Sequence, residues 1–223
     1  MKKVCLLIGE GDSERYFLPR LLERRSFESK LLKDGNSSIY SKDEVFWFFP
    51  FPPQLGSKVA GKERLKKPDT YQIASLFIKN HTYLFGNDFE LYLVVLFDID
   101  QSQSGVRKKL IEEAVASSSV SFKEVLICPV EVEIESWYFA GLESNFPDFK
   151  DQHDSELNRL LSSTTSSCHC KEKFNSFVDL NKTVGAKDIS QSVGSHFNEE
   201  KAIRHSSTYK DFVALIKRYG LYY

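Results

Sequence analysis

The stretch Leu91-Tyr92-Leu93-Val94-Val95-Leu96-Phe97-Asp98-Ile99-Asp100 is an apolar run that ends in two carboxylates one residue apart. A short β-branched and aromatic run of this kind suits a strand covered on both faces, as in a parallel sheet flanked by helices. Ligands in such sheets bind beyond the carboxyl ends of strands, where Asp98 and Asp100 fall. Side chains alternate along a strand, so the two acids point the same way, one pleat apart, set to hold a cation between them or two neighbouring ones. Taken alone, the same residues also read as a strand running into an acidic turn.

Bulk composition narrows the field. The 223 residues, 41% hydrophobic and 13% aromatic, suffice for one domain with a sizeable core. Thirty basic residues against 31 acidic ones leave no global positive field, so any nucleic-acid contact must be local. The four cysteines, at 5, 128, 168 and 170, imply no disulfide framework, and two of them sit in apolar runs as small hydrophobes. The apolar run after Met1-Lys2-Lys3 is too short for a signal peptide, and no stretch reads as a membrane span, which makes the cytoplasm the expected compartment.

Lys3 to Gly9 reads as a first strand, and Gly9-Glu10-Gly11-Asp12-Ser13-Glu14 as a tight turn into a helix, with Asp12 or Ser13 as N-cap and Glu14 in the favoured first turn. The turn lacks the Gly-Lys-Ser/Thr ending of a phosphate loop and the third glycine of a dinucleotide fingerprint, and its glutamates would repel a phosphate. Glu10 at a strand end suits a metal or acid/base role better. Residues 31–70 read as an insertion or an edge element containing a short aromatic strand at Glu44 to Phe51. A basic patch of Lys58, Lys62, Arg64, Lys66 and Lys67 follows; it reads as a solvated face or as phosphate-backbone contacts. Helices are expected over Thr70 to Leu84, Gly105 to Ala116, Asp188 to Gly194 and Tyr209 to Tyr219, and a third strand over Phe122 to Cys128.

After that strand, Glu131, Glu133 and Glu135 alternate with apolar residues ahead of Ser136-Trp137-Tyr138-Phe139-Ala140. Period two alone suggests an exposed strand, yet the run leaves an apolar strand and enters a helix, so its acids fall at the same sheet edge. Three segments thus aim carboxylates at one place: Glu10 with Glu14, Asp98 with Asp100, and Glu133 with Glu135. So many acids share a site while ionised only if cations neutralise them, and an all-carboxylate set favours magnesium or manganese over zinc. Two ions about 3.5–4 Å apart form the clamp used in phosphodiester chemistry. Cys168-His169-Cys170 lacks the spacing of a zinc site and reads as a loop, after the low-complexity linker at 162–167.

These motifs resemble the Toprim superfamily, shared by topoisomerases, DnaG-type primases and overcoming-lysogenization-defect (OLD) nucleases. Gly9 to Glu14 is similar to the glutamate motif of the OLD-like branch, and Asp98-Ile99-Asp100 to its Asp-x-Asp motif. Pro129 to Ala140 resembles the proline, glutamate and tryptophan signature of small stand-alone Toprim-like proteins encoded beside ABC-type or OLD-like ATPases in phage-defence loci. Lys182, Gly185, Lys187 and Ser206 to Phe212 match their C-terminal pattern. No glycine follows the central aspartates, a departure from the family.

The resemblance implies a single Toprim-like α/β domain over 1–223, Rossmann-like, with a parallel-rich central sheet between helices, an insertion at about 31–70 and a helical extension at about 150–223. It implies Mg2+ (or Mn2+) held first by Glu10, Asp98 and Asp100, with Glu14 and Glu133 or Glu135 assisting a second ion. Glu10 as general base is equally compatible. Lys187, or else Lys182, would steady the transition-state phosphate. The expected activity is metal-dependent hydrolysis of nucleic acid, DNA favoured over RNA, as the effector of an anti-phage, abortive-infection system with an ATPase partner and no membrane. Lys58, Lys62, Arg64, Lys66, Lys67 and Lys182 would contact the nucleic acid. Two alternatives stay open: a non-catalytic or latent regulatory subunit that docks an ATPase, with Phe46 to Phe51 as a docking surface or equally as core, and an enzyme acting on a nucleotide or tRNA.

Overall fold

The computed structural model describes residues 1–33, 38–50, 61–99, 104–131, 133–142, 172, 174, 176 and 186–221; the side chains of Asp12, Lys62, Ser104, Glu131 and Lys187 lie outside that description. Asp100, Lys58, Lys182, the 162–167 linker and Cys168 to Cys170 fall outside the described residues.

The elements run β1 (Lys2–Ile8), α1 (Asp12–Arg24), β2 (Glu28–Leu31), β3 (Ser38–Lys42), β4 (Phe46–Pro50), α2 (Gly61–Arg64), α3 (Pro68–Lys79), β5 (Phe89–Ile99), α4 (Ser104–Ser117), β6 (Glu124–Glu131), α5 (Glu135–Gly141), α6 (Ala186–His196), α7 (Glu199–His205) and α8 (Ser207–Arg218). The six strands form one sheet in the order β2-β3-β4-β1-β5-β6. β4, β1, β5 and β6 are mutually parallel, and β2 and β3 complete the sheet by antiparallel pairing. The result is a Rossmann-like α/β sheet between helices.

Alternation along the parallel strands produces two cores. Cys5 and Leu7 of β1, Phe48 of β4, Tyr92, Val94 and Leu96 of β5 and Cys128 and Val130 of β6 face α1, α5 and the C-terminal helices. Val4, Leu6, Ile8, Trp47, Phe49, Leu93, Val95 and Phe97 face α3 and α4. At about 1.5–3 kcal/mol for each large side chain removed from water, both layers contribute strongly to stability. Burial of Cys5 and Cys128 pushes both thiols up, Cys128 to about 12, so they act as small hydrophobes.

Two expectations need correction. The aromatic strand is not an edge element: β4 pairs with β1 on one side and β3 on the other. Its Trp47, Phe48 and Phe49 are buried on both faces, so this part of Phe46 to Phe51 takes the core reading, and Phe51 lies outside the described residues. The helix expected to reach Leu84 ends at Lys79, and residues 82–84 form a separate 3-10 turn. His81 breaks the run by turning its Nδ1 onto the carbonyl of Phe77 at 2.7 Å. β6 continues through Pro129 to Glu131, where proline is tolerated because β6 is an edge of the sheet.

Chain direction places the functional edge. The link leaving β1 uses α1 on one face, whereas α3 and α4, which lead into and out of β5, lie on the other. The sheet is therefore doubly wound about β1, and the crevice beyond the carboxyl ends of β1 and β5 is where such sheets bind ligands.

The C-terminal helices lock α1 against that crevice. Arg25, just past α1, grips Glu199 with two bonds of 2.8 Å, and the Tyr209 hydroxyl donates to the same carboxylate at 2.9 Å. α6 approaches α1 so closely at Gly194 that an added Cβ would lie 2.7 Å from Arg20 Cβ and 2.8 Å from the Phe17 carbonyl oxygen. Gly194→Ala is therefore expected to destabilise the fold by about 1–3 kcal/mol, because backbone must shift. Gly105→Ala, where a Cβ meets nothing within 4 Å, should be neutral or stabilising by up to about 1 kcal/mol. Paired urea melts of the two variants check this contrast.

Candidate active site

β1 ends at Ile8, and the chain turns through Gly9 and Glu10 into α1, whose N-cap is Gly11 rather than Asp12 or Ser13. The expected serine cap does not form because the Ser13 hydroxyl is engaged elsewhere, donating to Glu135 Oε1 at 3.2 Å. Glu14, third residue of the helix, instead reaches back to accept the Gly11 N–H at 3.2 Å, satisfying one of the orphan donors of the first turn.

Across the crevice, the parallel register sets Ile8 beside Val95 and Asp98 beside Val130. Two residues past Ile8, Glu10 comes level with the end of β5 and accepts the Asp98 backbone N–H at 3.2 Å. Asp98 shares its sheet face with Leu96 and Val94, the α1 and α5 side. From β6 the chain passes through Glu133 into α5, where Glu135 opens the first turn. The Tyr138 hydroxyl, one turn on, donates to the Ser13 carbonyl at 3.0 Å and shares a 2.9 Å hydrogen bond with Ser190 Oγ of α6. Together with the Ser13–Glu135 bond, the Tyr138–Ser13 bond stitches α5 to the start of α1, while Ser190 ties α5 to α6.

Of the carboxylates expected from three segments, Glu10, Glu14, Glu133 and Glu135 lie within electrostatic reach of Asp98, while Asp100 lies outside the described residues. Glu10, Glu14 and Glu135 are buried. Burial raises the Asp98 carboxyl to about 9, reinforced by the charges of Glu14, Glu10, Glu135 and Glu133. Glu14 rises to about 7, first through burial and then through Glu135 and Glu10, against the lowering effect of its backbone hydrogen bonds. Asp98 Oδ1 is fully buried and has no hydrogen-bond partner among the described residues. A proton or a hard cation would satisfy such an oxygen, and an all-carboxylate surround suits magnesium or manganese. Among the described residues, no three acids already close on a common point as metal ligands. Glu10, Glu14, Asp98 and Glu135, with Glu133 in electrostatic reach, are the groups that could hold an ion.

Other expected site residues fare differently. Arg64 does not face outward with the basic patch: it donates to the carbonyls of Gly9 at 3.3 Å and Glu10 at 3.4 Å, bracing the turn that carries Glu10. Lys66 is paired with Glu63 at 2.7 Å, and Lys67 is the exposed N-cap residue of α3. Lys187 lies in the first turn of α6, and its side chain is outside the description. Glu131 closes β6, opposite Ile99.

Sequence reading missed Arg107. In the first turns of α4, it is buried, ion-pairs with Glu10 Oε1 through Nη2, and donates from Nη1 to the Asp98 carbonyl at 2.7 Å. Its Cζ lies 5.9 Å from the centre of the Phe97 ring. The one available signal was its place seven residues beyond Asp100, where a helix leaving the acidic turn brings its first face back to the strand end. Trp137 also acquires a structural partner, donating from Nε1 to Thr208 at 2.9 Å, which ties the tryptophan motif to the Ser206 to Phe212 segment.

No protein-family model, curated protein or solved structure matches this chain significantly.

The raised carboxyls make a pH prediction. Their folded values lie above the unfolded ones, so the folded state holds extra protons. The stability they contribute is complete below about pH 4 and is lost as pH rises toward 7 for Glu14 and 9 for Asp98. Metal-free protein should therefore melt at a lower temperature at pH 8 than at pH 5.5. Millimolar Mn2+ should recover the difference at pH 8 but not in Asp98→Asn. Thermal melts by circular dichroism, with and without EDTA, check both statements.

Proposed function

We propose that this chain is a Toprim-type nuclease, dependent on Mg2+ or Mn2+, that hydrolyses phosphodiester bonds of nucleic acid. The observation that carries this reading is Asp98: a buried carboxylate oxygen without a donor among the described residues, surrounded by four further acids beyond the carboxyl ends of parallel strands. Buried like charges are retained at a cost of several kcal/mol unless a cation uses them. When bound, the cation supplies Lewis-acid polarisation of the phosphodiester.

The chain's own residues supply position. Glu10, held by Arg107 and the Asp98 N–H, keeps a fixed place at the end of β5. Ser13 orients Glu135, and Arg64 braces the Glu10 backbone. The lysine of the reading is Lys187, on α6, which Ser190 and Gly194 dock against α5 and α1. The motif resemblance further suggests action beside an ABC-type or OLD-like ATPase in phage defence. Trp47 to Phe49 are buried in the sheet, so these three residues offer no docking surface for the regulatory alternative.

Supercoiled plasmid, linear DNA and total RNA incubated with the purified chain and Mg2+ or Mn2+ should reveal cleavage that EDTA abolishes. Asp98→Asn and Glu10→Gln should lower the rate by roughly 10³-fold, on the order of 4 kcal/mol. Lys187→Ala should lower it by about 10²-fold. Full metal-dependent cleavage by the Asp98 and Glu10 variants would overturn the reading.

A further inference from the structure

Arg107 is a buried cation set among carboxylates, and every contact described above limits its movement. One end of the guanidinium is paired with Glu10, the other donates to the Asp98 carbonyl, and the Phe97 ring lies alongside. A guanidinium does not lose its proton in a protein, and its planar fork is fixed once both ends are bonded. The site therefore carries a guanidinium fixed between the Glu10 carboxylate and the main chain at the end of β5.

That charge has two opposite effects. It holds Glu10 against the end of β5, in place for chemistry. It also repels any divalent ion that the neighbouring Glu14, Asp98 and Glu135 attract, since like charges at these separations in a poorly hydrated site are only weakly screened. We infer that Arg107 is a positioning residue for the proposed phosphodiester hydrolysis, a built-in cation that orients Glu10 and keeps the site's hold on a divalent ion weak. This rests on the nuclease reading. A merely structural arginine would behave differently, because its loss would loosen the site and weaken metal binding and rate together.

The test compares wild-type chain, Arg107→Gln and Arg107→Lys by calorimetric titration with Mn2+ alone, alongside plasmid-cleavage kinetics. Arg107→Gln should bind Mn2+ roughly tenfold tighter while kcat falls about 10²-fold, with KM for DNA within about threefold. Arg107→Lys, which keeps the charge but not the two-ended grip, should keep wild-type Mn2+ affinity within about threefold and regain part of the rate. A folded Arg107→Gln that binds Mn2+ no more tightly than wild type overturns the inference. Should Arg107→Gln fail to fold, Arg107→Lys decides: unchanged affinity with a reduced rate supports it, and a tenfold change in affinity overturns it. Mn2+ binding by wild type without cleavage of any nucleic acid would sink the nuclease reading and with it the positioning role, while the affinity comparison still judges the charge effect. Wild-type chain that binds no Mn2+ overturns both.

Discussion

Ionised carboxylates crowded into a poorly hydrated crevice repel one another and lose the water that would otherwise stabilise them. The candidate site answers this in two ways. Arg107 neutralises Glu10 directly, and hydrogen bonds from the Gly11 N–H and the Ser13 hydroxyl partly support Glu14 and Glu135. Asp98 receives no such help at Oδ1 among the described residues, and its carboxyl is pushed toward the protonated form, further than that of Glu14. A fold does not gather acids this way for stability alone, because apolar residues of similar size would cost less.

The rest of the structure serves to hold that crowded edge together. β1 and β5 are central, each hydrogen-bonded on both sides, so the backbone carrying Glu10 and Asp98 has little freedom to spread. α1 is held in turn by α6 at Gly194 and by Glu199 gripping Arg25. The C-terminal helices thereby act on the site through packing: Ser190 touches Tyr138, Tyr138 touches Ser13, and Ser13 touches Glu135. Local preorganisation of this sort matters for any chemistry that depends on carboxylates staying within a fraction of an ångström of their working positions.

Arg64 and Arg107 alter how the charged surface is understood. Both were available as basic residues in ordinary polar stretches, and both turn inward toward the Glu10 segment, one to its carbonyls and one to its carboxylate. Lys66, paired with Glu63, is similarly engaged, which leaves Lys67 as the exposed member among the described side chains of that patch.

The sequence by itself determined the strands read at Lys3 to Gly9 and Leu91 to Asp100, found at Lys2–Ile8 and Phe89–Ile99, the helix between Gly105 and Ala116, and the approach of Glu10, Glu14, Glu133 and Glu135 to Asp98, with Asp100 outside the described residues. Hydrophobic period and strand polarity are local properties, and parallel strands must deliver their carboxyl ends to one edge. The tertiary structure alone decided that β4 lies inside the sheet, because which strands pair depends on contacts distant in sequence and an aromatic pentapeptide suits an edge or a centre equally. It alone decided that Gly11 caps α1, since the Ser13 hydroxyl is claimed by Glu135, 122 residues away. It also revealed Arg107, whose significance comes from meeting Glu10 across 97 positions of chain, a pairing that periodicity and motif spacing do not encode.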